Sequence, residues 1–498
     1  MSFINKTKNK PLKSPEWGNS LKIFAFFFSL TLFGGCNSIT QSEKHGQYNV
    51  LFISVDDLRP ELGCYGKDYI HSPNIDKLAS TGFVFNQAFC QVPVCGASRA
   101  SLLTGLLPTQ NRFLGYNARM DEDAPGVTNL ALHFKNNGYY TLNYGKVQHY
   151  PDDQPHSWSE PPKRPDWILL PDGTWSTEGW HDYVTQENLD MDKNHPKRAG
   201  LAYEKAEVPD SAYADGENIN MAVEKLKELK KLDQPFFFAV GLLKPHLPFN
   251  APSKYWDLYD PAEISEAPNP FAPENVPGEG ITNFGELRAY AGVPARGPIP
   301  DSLAHKLKHG YFACVSYVDA LIGNLLNELE NQGLAENTIV VLWSDHGYFL
   351  GEHGFWCKHA LYELAVRVPL IVRIPGANSA ETRNTTVELI DLYPTLCELN
   401  GVPIPEHVQG KSFLNTFDDP GYQHKNFTYS RYFDGESVKR DSIRYTMYLN
   451  DYNEIEGEML YDHGSDPMEN KNIAAKEDHQ TEIQEMRGII DSVKSVNQ

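Results

Sequence analysis

Apolar runs of strand length recur along the chain, and stretches of helical period separate them. "YNVLFISVDD" (48–57) is one such run, closed by two acids. "SPNIDKLASTG" (72–82) puts Ile75, Leu78 and Ala79 on one face, with Ser72 before Pro73 and Gly82 as the stop, which predicts a short capped helix. "FVFNQAF" predicts a strand. "SRASLLTGLLP" predicts a helix that opens just after Cys95 and is ended by Pro108. "NLALHFKNNGYYTLNYGK" reads as helix, glycine turn and strand. "AYADGENINMAVEKLKELKKLDQPFFFAVGLL" and "YFACVSYVDALIGNLLNELENQGLAENTIVVLWSDHG" each repeat a long amphipathic helix followed by an apolar strand. "VPLIVRIPG" is a further strand and "LIDLYPTLCELNG" a further helix. Strands alternating with helices predict an α/β domain built on a large, mostly parallel mixed sheet.

Two stretches break the alternation. Tyr255 to Pro300 is dense in Pro and Gly and reads as a long irregular excursion over one face. "WILLPDGTWSTEGWHDYV" is a Trp-rich insertion. From about Asn426 the pattern becomes shorter and more polar, with "NFTYSRYF" and "IRYTMYLN" as strands and a closing helix near Thr481–Val496. We expect a catalytic domain over 48–375 and a C-terminal part, 376–498, that completes the fold with a smaller α+β subdomain.

The start of the chain has a pattern of its own. Lys6, Lys8, Lys10, Lys13 and Lys22 precede the apolar run "IFAFFFSLTLFGGC". A basic region, a short apolar region and small residues before a cysteine read as an export signal (1–35), too short for an ordinary membrane span. "LFGGC" looks like a bacterial lipoprotein box. Cys36 is then the lipidated first residue of the mature chain, with a linker over 36–47; the alternative is cleavage elsewhere and a soluble secreted protein. The expected place is the cell envelope, periplasm-facing or on the cell surface, with the membrane reached through a lipid anchor.

Composition changes the picture in two ways. The formal charge is 44 − 65 = −21, which argues against nucleic acid as a partner because no basic excess exists to release counterions. A few cations in one cleft can still dominate locally and hold an anionic substrate. Beyond Cys36, six cysteines remain: Cys64, Cys90, Cys95, Cys314, Cys357 and Cys397. In an exported protein spare cysteines can pair, but if Cys95 has a chemical role five remain and at least one is unpaired.

Three constellations carry candidate chemistry. Asp56-Asp57 ends a buried-looking strand, where ligands sit in open α/β sheets, and adjacent carboxylates suit a hard divalent cation. Asp345-His346 closes another apolar strand in the same way. Alone, either pair is an ordinary acidic turn; two such strand ends can converge on one ion. Cys95 lies just before a helix N-terminus, which favours anions, and Arg99 sits one turn on. Taken alone, Cys95 reads equally as a buried structural thiol.

"CGASR" with its "ASLLTG" tail resembles the signature of the type I sulfatases. The blocks "ISVDDLRPELGCYG", "CGASRASLLTG", "GKVQH", "LLKPHLPF", "GPIP" and "SDHGYFLGEHGFWCKH" are similar, in order, to the iduronate-2-sulfatase-like branch, from Asn49 to about Pro375 and more weakly beyond. Ala97 stands where the signature usually has proline, and His346 where many sulfatases have asparagine.

The resemblance implies an alkaline-phosphatase-like α/β sandwich. It implies that Cys95 is oxidised by a separate formylglycine-generating maturation enzyme to Cα-formylglycine (3-oxoalanine), whose gem-diol attacks sulfur. It implies Ca²⁺ held by Asp56, Asp57, Asp345 and His346 together with the group derived from Cys95. Lys146, Lys358 and His246 would contact the sulfate ester, Arg99 the diol, with His246 as general acid and His149 as base. The implied partner is a sulfated carbohydrate, in polysaccharide degradation: a glycosaminoglycan or an algal polysaccharide such as ulvan, with a 2-O-sulfated uronic acid as one form. The Trp-rich insertion (Trp158, Trp167, Trp175, Trp180) and the Pro-rich excursion read as sugar subsites or as plain covering loops. His353 and His359 are candidates to line the pocket, and Cys357 is read as structural. The alternatives are a phosphodiesterase or phosphonate monoester hydrolase of the same superfamily and a non-catalytic glycan-binding lipoprotein.

Overall fold

The structure is a computed structural model that describes residues 47–177, 180–197, 199–377 and 380–496; the segment expected to be an export signal and Cys36 lie outside the described residues. Strands β1 (Asn49–Val55), β2 (Phe83–Phe89), β3 (Tyr140–Gly145), β4 (Phe236–Leu242), β5 (Thr338–Ser344), β6 (Arg367–Val368), β7 (Leu370–Arg373) and β8 (Glu381–Glu388) form one sheet. The order is β6–β2–β7–β5–β1–β4–β3, with β8 also pairing β2. The strands β5, β1, β4 and β3 are all parallel, whereas β7 runs antiparallel to β5 and to β2.

Both faces of the sheet are covered, which is why the strands read as continuous apolar runs. In β1, Leu51, Ile53 and Val55 point into one core, with helix α4 (Ala214–Leu229) and the long helix α5 (Asp301–Asn331). Val50 and Phe52 point into the other, with α2 (Cys95–Thr104), α3 (Leu130–Asn136) and α6 (Leu392–Leu399). Each fully buried apolar side chain of β1 contributes roughly 1.5–3 kcal/mol. A third core lies under a four-stranded antiparallel sheet, β9 (Thr428–Tyr432), β10 (Gly435–Arg440), β11 (Ile443–Leu449) and β12 (Ile455–Asp462), where Ile483, Met486 and Ile490 of α7 (Gln480–Val496) pack on Val438, Tyr445 and Leu460.

A buried ionic knot pins this second sheet to the body. Glu363 accepts from Lys439 at 2.9 Å and from Arg444 at 2.6 Å, and Arg444 also meets Glu469 at 3.3 Å.

Several local expectations change. Helix α2 begins at Cys95 itself and ends at Gly105, whose left-handed φ of 70° caps it, so Pro108 is not the stop. The Ser72 hydroxyl does not cap α1 (Pro73–Ala79); it accepts from the Gly63 amide at 2.9 Å. "VPLIVRIPG" splits into β6 and β7 around Pro369, which has no amide hydrogen for a ladder. All six described cysteines are free thiols.

Candidate active site

Four parallel strand ends lie in register. Val55 of β1 stands opposite Leu242 of β4 and Ser344 of β5, and Gly145 of β3 stands opposite Gly241. The residues that follow therefore meet at one edge of the sheet: Asp56 and Asp57 after β1, Lys146 and His149 after β3, His246 after β4, Asp345 and His346 after β5. Gly145 is required here, because a Cβ would lie 2.0 Å from the Gly241 carbonyl and φ is +74°. Asp57 also takes a left-handed φ of 60° without being glycine. Its amide donates to Asp345 Oδ1 at 3.2 Å and its carbonyl accepts from the Tyr311 hydroxyl at 2.8 Å, which hold that conformation.

Helix α2 brings Cys95 to this edge. The residue after it must be glycine, since a Cβ at Gly96 would lie 2.0 Å from the Tyr116 carbonyl oxygen. Ser98 Oγ donates to the Asp345 carbonyl at 2.5 Å. The small residues of "CGASR" thus have tasks in the folded protein. Arg99, one helical turn beyond Cys95, is fully buried. It donates from Nε to Asp345 Oδ2 at 2.8 Å, from Nη2 to Asp56 Oδ1 at 3.3 Å and from Nη1 to the Val147 carbonyl at 2.8 Å. Lys146 donates to Asp56 Oδ2. Burial alone would raise the Asp56 carboxyl; the Lys146 and Arg99 charges outweigh it and hold it well below the usual carboxylate range.

A second group sits beside the first. Lys358 Nζ lies 3.0 Å from Asp57 Oδ1 and 2.9 Å from Glu286 Oε2. His246 Nε2 lies 2.9 Å from Glu286 Oε1, and its Nδ1 faces the Leu247 carbonyl at 2.6 Å. Both nitrogens of His246 face oxygen acceptors, a pattern that only the ring with two protons satisfies. Burial pushes the Asp57 carboxyl up to about 6 despite Lys358. Burial would also raise Glu286, but Lys358 and His246 hold it well below its ordinary range. His149 is the opposite case: burial, with Lys146 nearby, holds its pKa well below that of a free imidazole, and its Nδ1 has no hydrogen-bond partner. It is a neutral ring with a free nitrogen.

The donor set fits a cation. The acceptor atoms of Asp56, Cys95, Asp345 and His346 all lie within 4.8 Å of one another. His346 Nδ1 faces the Gly347 carbonyl at 2.9 Å and so carries the proton. Its Nε2 lone pair is buried without a hydrogen bond, 3.4 Å from Asp57 Oδ1 and 3.7 Å from Asp345 Oδ2. Asp57 Oδ1 and Asp345 Oδ2 already meet Lys358 and Arg99, so the Nε2 of His346 is the buried atom of this set left without a partner, and a set rich in carboxylate oxygen suits a hard divalent ion.

The fold brings together all ten residues singled out for the site, Cys95, Arg99, Lys146, His149, His246, Lys358, Asp56, Asp57, Asp345 and His346. Glu286 was missing from that set. It lies in the irregular excursion, where neither periodicity nor a motif marks it. Cys357 is buried, with its sulfur 3.6 Å from the Tyr348 hydroxyl. Of the pocket candidates, His359 lines a cleft beside Glu286, whereas His353 packs on Phe355 and Tyr362. Among the tryptophans, Trp180 comes within 5.9 Å of the His246 ring, but Trp158 is core, its indole donating to Gln148.

Two clefts meet at Glu286. One, of about 760 Å³, carries Trp180, His181, Lys193, Lys197 and Tyr290. The other, of about 650 Å³, carries Tyr116, Tyr432 and Phe433 with the carboxylates of Glu279, Asp434 and Glu456. A larger cavity of about 1030 Å³ lies away from this chemistry, beside Glu388, His424 and Lys425.

Comparison with known proteins separates the readings that this geometry leaves open. Residues 48–402 match the family model described as Sulfatase, and residues 351–495 match the C-terminal model of N-sulphoglucosamine sulphohydrolase. The chain is 34% identical to iduronate 2-sulfatase of Mus musculus, over 81% of this chain and 77% of that protein. A solved protein in complex with its substrate D-glucosamine-2-N,6-O-disulfate superposes with a TM-score of 0.70 at 21% identity, covering 90% of this chain and 98% of that one. The phosphonate monoester hydrolase of Agrobacterium radiobacter superposes with 0.71 at 20% identity, over 91% and 96%. The fold is therefore shared across both chemistries, and the family match is what distinguishes them.

Proposed function

The chain belongs to the sulfatase family and is a sulfuric ester hydrolase, and on that premise we propose that it removes sulfate from anionic oligosaccharides through a formylglycine made from Cys95, with Ca²⁺ as its metal. The observation that carries this reading is the juxtaposition of Cys95 with Asp56, Asp345 and His346 within 4.8 Å, over a fully buried Arg99. Oxidation of Cys95 by a maturation enzyme would supply a gem-diol nucleophile that can release sulfate by elimination, which a thiol or a serine hydroxyl cannot do. Ca²⁺ held by Asp56, Asp57, Asp345 and His346 would supply Lewis-acid polarisation of the ester.

The chain's own residues do the rest. Arg99 and Lys146 place positive charge beneath the position of Cys95. Lys358 presents its ammonium to the sulfate oxygens. Fixed charges of this kind are worth about 10²–10³ in rate each. His246 holds a proton at Nε2, the only ring atom not committed to a backbone carbonyl, and gives it to the departing sugar oxygen. His149 is neutral and takes a proton at Nδ1. The rim of Trp180, Lys193 and Lys197 supports an anionic sugar chain as substrate, since aromatic faces pack on sugar rings and the ammonium groups attract carboxylate or sulfate.

The substrate class follows as glycosaminoglycan or ulvan oligosaccharides, with a 2-O-sulfated uronic acid as the first to try. The same reading has the chain exported and anchored to the cell envelope through a lipid on Cys36, which metabolic labelling with palmitate, lost in Cys36→Ala, would test. For the activity, sulfate release is measured from both oligosaccharide classes with protein co-expressed with a maturation enzyme. Release from either supports the proposal. Turnover of an aryl sulfate with no release from any sulfated oligosaccharide would sink the glycan reading.

A further inference from the structure

Glu286 engages the two groups that a sulfate ester must reach. Its carboxylate lies 2.9 Å from His246 Nε2 and 2.9 Å from Lys358 Nζ. His246 has no second nitrogen to offer, because Nδ1 is committed to the Leu247 carbonyl. Lys358 is flanked on its other side by Asp57 at 3.0 Å. A leaving oxygen can therefore take the His246 proton only by displacing the Glu286 carboxylate, and a sulfate oxygen that reaches Lys358 shares its ammonium with that carboxylate or replaces it.

Of the acids at this centre, Glu286 is the one that is neither fully buried nor carried by a strand end. Asp56, Asp57 and Asp345 hang from strand ends and their side chains are fully buried. Glu286 lies in the irregular excursion, one residue before a single turn at Leu287–Ala289, and its side chain is 21% exposed. It lines both clefts and covers His246 Nε2 at 2.9 Å.

We propose that Glu286 is a specificity-determining residue: an anion on His246 and Lys358 that the sulfate ester displaces, and that then accepts a hydrogen bond from the ring hydroxyl next to the sulfated carbon. The reason is geometric. On a sugar ring a neighbouring hydroxyl gauche to the ester oxygen lies about one hydrogen-bond length from it. A carboxylate pushed off His246 by that oxygen meets the hydroxyl without a large movement. A sulfate ester with no such hydroxyl leaves the carboxylate displaced and unpaired beside the sulfate, which costs binding. Glu286 thus selects against simple sulfate esters and for sulfated sugars with a free vicinal hydroxyl. This inference rests on the sulfated-sugar reading above and goes beyond it in naming what recognises the sugar.

The test compares three probes: 4-nitrophenyl sulfate, a 2-O-sulfated uronic-acid disaccharide, and the same disaccharide lacking the 3-hydroxyl. Wild type should prefer the hydroxylated disaccharide to the deoxy form by about 10- to 100-fold in kcat/KM, the range expected for one hydrogen bond to a charged, partly exposed group. In Glu286→Ala that preference should fall to within about twofold, while kcat/KM for 4-nitrophenyl sulfate rises because the competing anion is gone. Glu286→Gln, which keeps the shape and loses the charge, should retain part of the preference. An equal loss on all three probes in both variants would mean a purely structural role and overturn the proposal. So would a wild type indifferent to the hydroxyl, a measurement that needs no variant to fold. If wild type hydrolyses 4-nitrophenyl sulfate and no sulfated oligosaccharide at all, the sulfated-sugar reading fails first and this inference falls with it; if it hydrolyses another sulfated sugar instead, that sugar and its deoxy form at the vicinal carbon replace the disaccharide pair, and indifference to the hydroxyl again overturns the proposal.

Discussion

The reaction centre has two sides of different construction. The inner side, Asp56, Asp345, His346, Arg99 and Lys146, is set by strand register and one helix start, and is sealed from solvent. The outer side, Glu286 with the Trp180–Lys197 cleft and the Tyr432–Glu456 cleft, is set by irregular segments. The inner side fixes charge beneath the sulfur, and it has little freedom: Arg99 alone ties β1, β3 and β5 together through Asp56, Val147 and Asp345. The outer side carries the contacts that can differ between substrates. On the proposed reading, the difference teaches that chemistry and selectivity belong to different parts of one site, one held by strand ends and one by irregular segments.

That contrast can be broken at several points. The largest effect should come from Cys95→Ala, which is expected to cut kcat by about 10⁴-fold or more on aryl and sugar sulfates alike. Equal loss on both is the mark of an inner-side residue. His246→Gln should cost about 10²–10³-fold on sugar sulfates. It should cost much less on 4-nitrophenyl sulfate, whose leaving oxygen needs no proton; parallel loss on both would mean that His246 does not act on the leaving group. His346→Ala should weaken calcium binding about 10- to 100-fold, as seen in calorimetry and in the calcium-dependent rise of Tm, without abolishing it, since three carboxylates remain.

The smallest effect on catalysis is expected far from the centre. Glu363→Gln removes the charge of the knot with Lys439 and Arg444 and leaves two buried cations under-compensated. It should lower stability by about 3 kcal/mol, read from denaturant unfolding, with kcat of the folded enzyme unchanged. Burial would raise the Glu363 carboxyl, but Lys439 and Arg444 hold it well below its ordinary value of 4.5. Because folding depresses it, its contribution is complete above that value and is lost as the pH falls below it. The wild type should therefore lose stability on acidification below about pH 4.5 more steeply than Glu363→Gln.

The two sides also differ in how far they could be read from the chain alone. The α/β class and the strand ends were legible because buried parallel strands read as continuous apolar runs, and the acids of Asp56-Asp57 and Asp345-His346 interrupt those runs abruptly. Lys146, His149, His246 and Lys358 were not legible from pattern; they came from blocks that resemble a known family. Glu286 was missed because a glutamate in a Pro- and Gly-rich stretch follows no period, and only the fold puts it on His246. Trp158, left open as a subsite or a covering-loop residue, is core, because an aromatic cluster in sequence does not say which ring faces solvent. The Pro108 stop was misplaced because Gly105, three residues earlier, already satisfies the helix end.

The central claim is that the inner side is built around an aldehyde derived from Cys95. The most direct test is the mass of the tryptic peptide containing Cys95, from protein made together with a maturation enzyme. The account predicts the loss that follows from exchanging sulfur for oxygen and removing two hydrogens, in proportion to specific activity across preparations. A fully active preparation whose Cys95 remains a thiol would contradict it.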